Sequence, residues 1–255
     1  MLTKNSTLLK FSNIIAFILT ILVNSLAGSS TLIGGKVTAE ISDANFSLIT
    51  PAGYVFSIWG VIYILLGLFV VFQALPSQKD KDYQNRIGWL FVLSSILNIV
   101  WLFLWQFEYL IFSVPVMFML LASLIAIYLR LDIGKSKVDL RERIAIHLPF
   151  STYLGWITIA SIANVATTLV SLNWDGFGIN SETWASLIII VALLLSLIVV
   201  TTRKDVAYGL VIIWAFVGIS AAQMVYQNIV TLTQVSAIIV LVVLIGAIII
   251  QKIRK

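Results

Sequence analysis

Indole, phenol and carboxamide groups recur at four-residue intervals in three stretches of this chain. Trp59, Tyr63 and Gly67 form the first set, with Phe56 three positions before Trp59. Ser94, Asn98, Trp101 and Trp105 form the second. Trp156, Ala160, Asn164 and Thr168 form the third, with Tyr153 and Thr167 adjoining. Residues three or four apart share one face of a helix. Such a face can stack a flat apolar molecule on its indole rings and orient it with a few polar groups. Asn98 and Asn164 carry the strictest requirement, because an amide in apolar surroundings is costly unless it is hydrogen-bonded. Both are expected to face an interior, toward each other, a backbone group, water or a ligand. Interhelical bonds of this kind average about 0.6 kcal/mol and reach ~2 kcal/mol. That is enough to join helices without any pocket, so packing and ligand contact are both open for each Asn.

Residues for other chemistry are missing from the pattern. There is one histidine, His147, and no cysteine, which excludes disulfides and Cys-ligated metals. No Asp or Glu falls deep in an apolar stretch, where a proton relay or acidic ion site would put one. Neither a phosphate-cradling loop nor a GxSxG elbow occurs. No catalytic residue, metal site or cofactor is therefore expected, and His147 reads as a packed or interfacial residue, with a pH-sensing role as the alternative. An enzyme needs an acid, a base or a metal; the residues favour a binding protein, with Tyr- or Trp-assisted photochemistry left open.

The elements that must carry these faces are apolar stretches of about twenty residues, at about 11–28, 52–75, 87–106, 109–129, 144–172, 183–202, 206–226 and 231–251. A bilayer core of ~30 Å takes about 20 helical residues to cross, and each span must satisfy its own backbone, so helix is the expected state. The fold class is all-α, a polytopic membrane bundle of eight transmembrane helices. Sixty per cent hydrophobic and eleven per cent charged residues agree with this, since a soluble domain carries about twice that charge. Fifteen of the sixteen Lys and Arg fall on one side of such a bundle; only Lys36 lies opposite. Basic loops stay in the cytoplasm, so both termini are expected there, in the cell membrane. The net charge of +5 then reflects topology and contact with anionic lipid. No compact basic domain points to nucleic acid. The opposite side bears Glu40, Asp43, Glu108, Asp175 and Glu182, which read as solvated loop charge. Lys4 and Lys10 ahead of an apolar run, with Ser25-Leu26-Ala27 before Gly28, also fit a cleavable signal peptide; cleavage would leave seven spans and move no other loop.

No long linker separates soluble domains. The longest polar segment, about 29–50, is rich in Gly and Ser and leads to Pro51 and Gly53; a loop of this length is either a lid or a connector. Trp89 and Trp184 lie at span ends and read as interfacial anchors. Seven of the eight Trp precede residue 185, and the last three spans are largely aliphatic. This shift suggests a five-span functional core, residues 1–175, and a three-span extension, residues 176–255.

The patterned faces resemble those of the tryptophan-rich sensory protein, or translocator protein (TspO), family over about residues 11–174. The family's second-span element, a Pro-rich entrance, an aromatic-x-Phe and then Trp-x-x-x-Tyr-x-x-x-Gly, is similar to Pro51-Ala-Gly-Tyr54-Val-Phe56-Ser-Ile-Trp59, Tyr63 and Gly67. Leu97-Asn98-Ile-Val-Trp101 resembles the third-span Leu-Asn-x-x-Trp, and Tyr153-Leu154-Gly155-Trp156 with Asn164 the fifth-span motif. The chain departs from the pattern at Tyr54, where the family has Trp and one more residue before the next Trp, and at Ser57 and Thr152, where it has Pro. Its eight spans exceed the family's five. The resemblance implies a five-helix bundle, often a homodimer, whose hydrophobic pocket is closed by the first loop. It implies binding of porphyrins, related tetrapyrroles or sterols, with sensing, receptor or transport roles. The pocket residues carried over are Tyr54, Trp59, Asn98, Trp101, Tyr153, Trp156 and Asn164. The added spans motivate a second reading, a small-molecule transporter or permease, against which stand the lack of intramembrane charge and of half-to-half repetition. An enzyme acting on tetrapyrroles is a third.

Overall fold

The apolar stretches fold as eight long helices: α1 (Thr3–Ser29), α2 (Ile58–Ala74), α3 (Leu90–Gln106), α4 (Leu110–Arg130), α5 (Leu148–Ser171), α6 (Ser181–Arg203), α7 (Val206–Ala222) and α8 (Gln227–Ile253). The computed structural model describes residues 3–79 and 81–253, and among these there is no strand. Among the described residues six spans are long and apolar enough to cross a membrane, α2 reaching that length only with the 3-10 turn before it, as Gly53–Ala74. The other two, α3 and α7, have 17 residues each, a rise of about 25 Å. They are the reason the expected eight spans become six by length alone. Of the basic residues assigned to one side, Arg254 and Lys255 lie outside the described residues, as do the side chains of Lys4 and Lys252.

The boundaries have local causes. α2 stops one residue short of Leu75-Pro76, where proline disfavours helix in its predecessor. α6 ends at Lys204, which takes the left-handed conformation (φ 55°). Asp205 then caps α7, its Oδ1 accepting from the Tyr208 N–H at 3.2 Å. Asn180 caps α6 by accepting from the Thr183 N–H at 2.8 Å. The expected third span starts three residues late, at Leu90, because Gly88 ends a separate short helix, Tyr83–Ile87. The expected second span opens with a 3-10 turn, Gly53–Ser57, and the fifth with a π turn, Arg143–His147, in which His147 is buried.

The chain forms two packing units. The first comprises Met1–Ile41 and Trp59–Leu154. Within it α1 packs along α3, and α3 along α4. Gly67 permits close approach in this unit: a Cβ there would stand 3.1 Å from the Phe17 ring. Amides bind the helices across their apolar faces. Asn13 donates to Gln73 Oε1 at 2.9 Å, and Asn24 donates to Asn98 Oδ1 at 2.7 Å. Phe69, Phe91 and Phe150 meet edge to face, with centroids 5.0–6.0 Å apart. At one end of the unit Lys36 pairs with Glu108; at the other, Arg86 donates to the Arg130 carbonyl.

The second unit comprises Ser42–Ile58 and Gly155–Lys255. Here α8 packs along α6 and α7. The stretch before α2 is threaded into this unit. The Ala52 N–H donates to the Gly218 carbonyl at 3.0 Å, and the Trp214 indole N–H to the Val55 carbonyl at 3.1 Å. The Gln223 Nε2 donates to the Ser47 and Thr50 carbonyls at 3.2 and 3.4 Å. Arg203 and Lys204 occupy one end of the unit, and Asp175 and Glu182 the other, because α6 runs between them.

Candidate functional site

In the first unit the helical faces bring four of the residues singled out by spacing into one cluster. Trp59 and Tyr63, one turn apart on α2, stack with centroids 5.6 Å apart and planes 20° from parallel. Tyr153 of α5 meets Trp59 edge-on at 6.0 Å. Asn98 of α3 donates to Tyr153 Oη at 3.2 Å. Its other amide atom accepts from Asn24, so this fully buried side chain joins α1, α3 and α5. Neither bond goes to the other patterned Asn. Trp59 is half-buried. The Tyr63 hydroxyl is buried and has no hydrogen-bond partner among the described residues, an arrangement that costs on the order of 1–3 kcal/mol when it persists. Trp101, also expected in a pocket, is buried and leans on Trp105 at 5.6 Å.

The first loop is fixed rather than slack in this unit. Gln106 Nε2 donates to the carbonyls of Ile33 and Lys36 at 3.2 and 2.7 Å. The Trp105 indole donates to the Thr38 carbonyl at 3.2 Å, and a short helix, Thr38–Ala44, begins there. One amide and one indole at the end of α3 therefore position the segment read as lid or connector.

The remaining three residues lie in the second unit. Trp156 is buried and meets Phe56 edge-on at 5.9 Å. Asn164 is buried, and its carbonyl accepts from Thr168. Tyr54 is 48% exposed, its ring edge-on to Trp214 at 5.3 Å.

A cavity of about 590 Å³ opens at the end of the second unit that bears Asp175 and Glu182. That volume is within the ~300–1,000 Å³ range of small-molecule sites. None of the seven residues named from the sequence lines it. Its walls include Trp174, Trp184, Phe46 and Tyr226, with Asp175 and Glu182 at the same site. Trp174 and Trp184 stand 5.1 Å apart with planes tilted 54°. The Trp184 indole donates to the Gly176 carbonyl at 2.8 Å, which fixes the ring to the turn. Spacing gave no warning of this site, because its residues come from a turn, two helix ends and the stretch before α2. The one signal was the pairing of Trp with a neighbouring carboxylate twice in eleven residues, at 174–175 and 182–184.

A family model described as TSPO-like protein matches residues 10–250. No curated protein and no solved structure matches the chain.

Proposed function

Because the chain belongs to the TSPO-like protein family, and thus is an integral membrane protein of that type, we propose that it binds a flat hydrophobic ligand of the porphyrin or tetrapyrrole class within the membrane. The observation that carries this reading is the cluster of Trp59, Tyr63, Tyr153 and Asn98, in which two aromatic rings stack and one buried hydroxyl lacks a partner. A macrocycle offers an extended π face to the indole and an acceptor to the hydroxyl. Trp101 of the same unit belongs to the proposed set; Tyr54, Trp156 and Asn164 are candidate binding residues through the family resemblance. Residues 1–175 hold that whole set, and residues 176–255 are the accompanying three-helix extension. The proposal has a receptor or carrier working as a homodimer in the cell membrane, with both termini cytoplasmic.

The test is a titration of the purified full chain with protoporphyrin, followed by quenching of Trp fluorescence. Loss of one stacking ring corresponds to ~1 kcal/mol or somewhat more, so Trp59→Ala should weaken binding about five- to tenfold. Tyr63→Phe should weaken it about threefold while leaving the fold intact, since its hydroxyl has no hydrogen-bond partner among the described residues to lose. Unchanged affinity in both variants and in Trp101→Ala would remove the cluster from the site.

A further inference from the structure

The cavity at the end of the second unit differs in chemistry from the aromatic cluster, and we infer that it is a separate site for an organic cation with an apolar body. Aromatic rings make up much of its wall: Trp174 and Trp184 side by side, with Phe46 and Tyr226. Indole faces attract cations through the ring quadrupole, by about 0.5–1 kcal/mol when exposed and 2 or more when desolvated. Two carboxyl groups supply the opposing charge. Asp175 lies in the turn, where one oxygen accepts from the Phe177 N–H at 3.0 Å. Glu182 is half-buried and accepts a long hydrogen bond from Asn228 at 3.5 Å. Neither carboxyl group is in an ion pair among the described residues. Among the described residues no Lys or Arg lines the cavity, and none occurs in the sequence between Arg143 and Arg203 or between Lys204 and Lys252. An anionic ligand, a tetrapyrrole carboxylate included, would meet two like charges here and no cation. A protonated or quaternary amine would meet complementary charge and two adjacent indole rings at once.

Such a cation has two natural sources, a free amphiphilic amine or the choline headgroup of a lipid, and both present the same chemistry to these walls. Tetraphenylphosphonium is a suitable probe, because tetraphenylborate has its size and shape with the opposite charge. The full chain in maltoside detergent is measured by equilibrium dialysis. Saturable binding of tetraphenylphosphonium, with tetraphenylborate at least tenfold weaker, is expected. Glu182→Gln and Asp175→Asn should each weaken the cation three- to tenfold, with Trp184→Ala doing so as well. Trp184→Phe, which keeps a ring in place, should retain most of the affinity and guards against misfolding. Glu40→Gln removes a carboxyl group elsewhere and should leave binding unchanged. Displacement of the probe by dihexanoyl phosphatidylcholine below its micelle concentration would make the occupant a lipid headgroup. Displacement by tetrapentylammonium alone would make it a free cation; either result supports the site. Equal affinity for the two probe ions, or full affinity in the Asp175→Asn/Glu182→Gln double variant, would overturn the inference. Because the aromatic cluster of the first unit contributes no residue here, these results stand apart from the porphyrin titration.

Discussion

Asn98 shows how much one buried amide can organise. Its carboxamide accepts from Asn24 and donates to Tyr153, so three helices depend on a single side chain that is fully out of solvent. Removing one partner of a buried bond costs more than the bond's net value, because the other partner keeps its desolvation. Asn98→Ala should therefore destabilise the protein by about 1–3 kcal/mol, measured by thermal or denaturant unfolding in detergent. A double-mutant cycle with Tyr153→Phe should give a coupling of about 0.6–1.7 kcal/mol. Additive effects would mean that the two do not share a bond. Four-residue spacing was enough to place Asn98, Trp59 and Tyr63 on inward faces. It could not name Asn24, because a partner on another helix has no fixed offset in sequence. Tyr63 was visible on the same face as Trp59, but only three dimensions reveal that its hydroxyl is unpartnered.

Each half of the segment between α1 and α2 has its own fastening element. Gln106 at the end of α3 holds Ile33 and Lys36, and Gln223 at the end of α7 holds Ser47 and Thr50. Gln223→Leu should speed amide hydrogen exchange at residues 47–55 and leave residues 33–36 unchanged; Gln106→Leu should do the reverse. Exchange that rises throughout 30–55 in either variant would show the segment opening as one piece. Gly218 serves the same fastening, since a Cβ there would stand 2.0 Å from Val55 Cγ2. The long helices were legible because about twenty apolar residues in a row admit few alternatives. The structure of residues 42–58 was not, because its hydrogen bonds come from side chains more than 150 positions away. The turn at Gly88 lies at the polar edge of its span, after Gln84-Asn85-Arg86, where a helix start is legible only to within a few residues.

For the molecule as a whole, charge segregation sets the arrangement to be tested. In each unit the Lys- and Arg-rich loops collect at one end, with Lys36 the exception, neutralised by Glu108. Since the chain has no cysteine, single replacements report topology without background. Ser136→Cys should react with membrane-permeant maleimide only, and Phe177→Cys, at an 80% exposed position, with the impermeant reagent on intact cells. The reverse pattern would invert the proposed orientation. The composition shift along the chain marks where the aromatics end. It carries no information on which helices pack together, and the packing of Ser42–Ile58 with α7 is a feature that only the folded chain reveals. The indoles of Trp174 and Trp184 add an optical property to that unit. At 5.1 Å and a 54° tilt their electronic transitions are close enough to mix, and two chromophores held at an oblique angle give a paired positive and negative band in ultraviolet circular dichroism. The protein thus carries a built-in, label-free gauge of the geometry of its own cavity mouth.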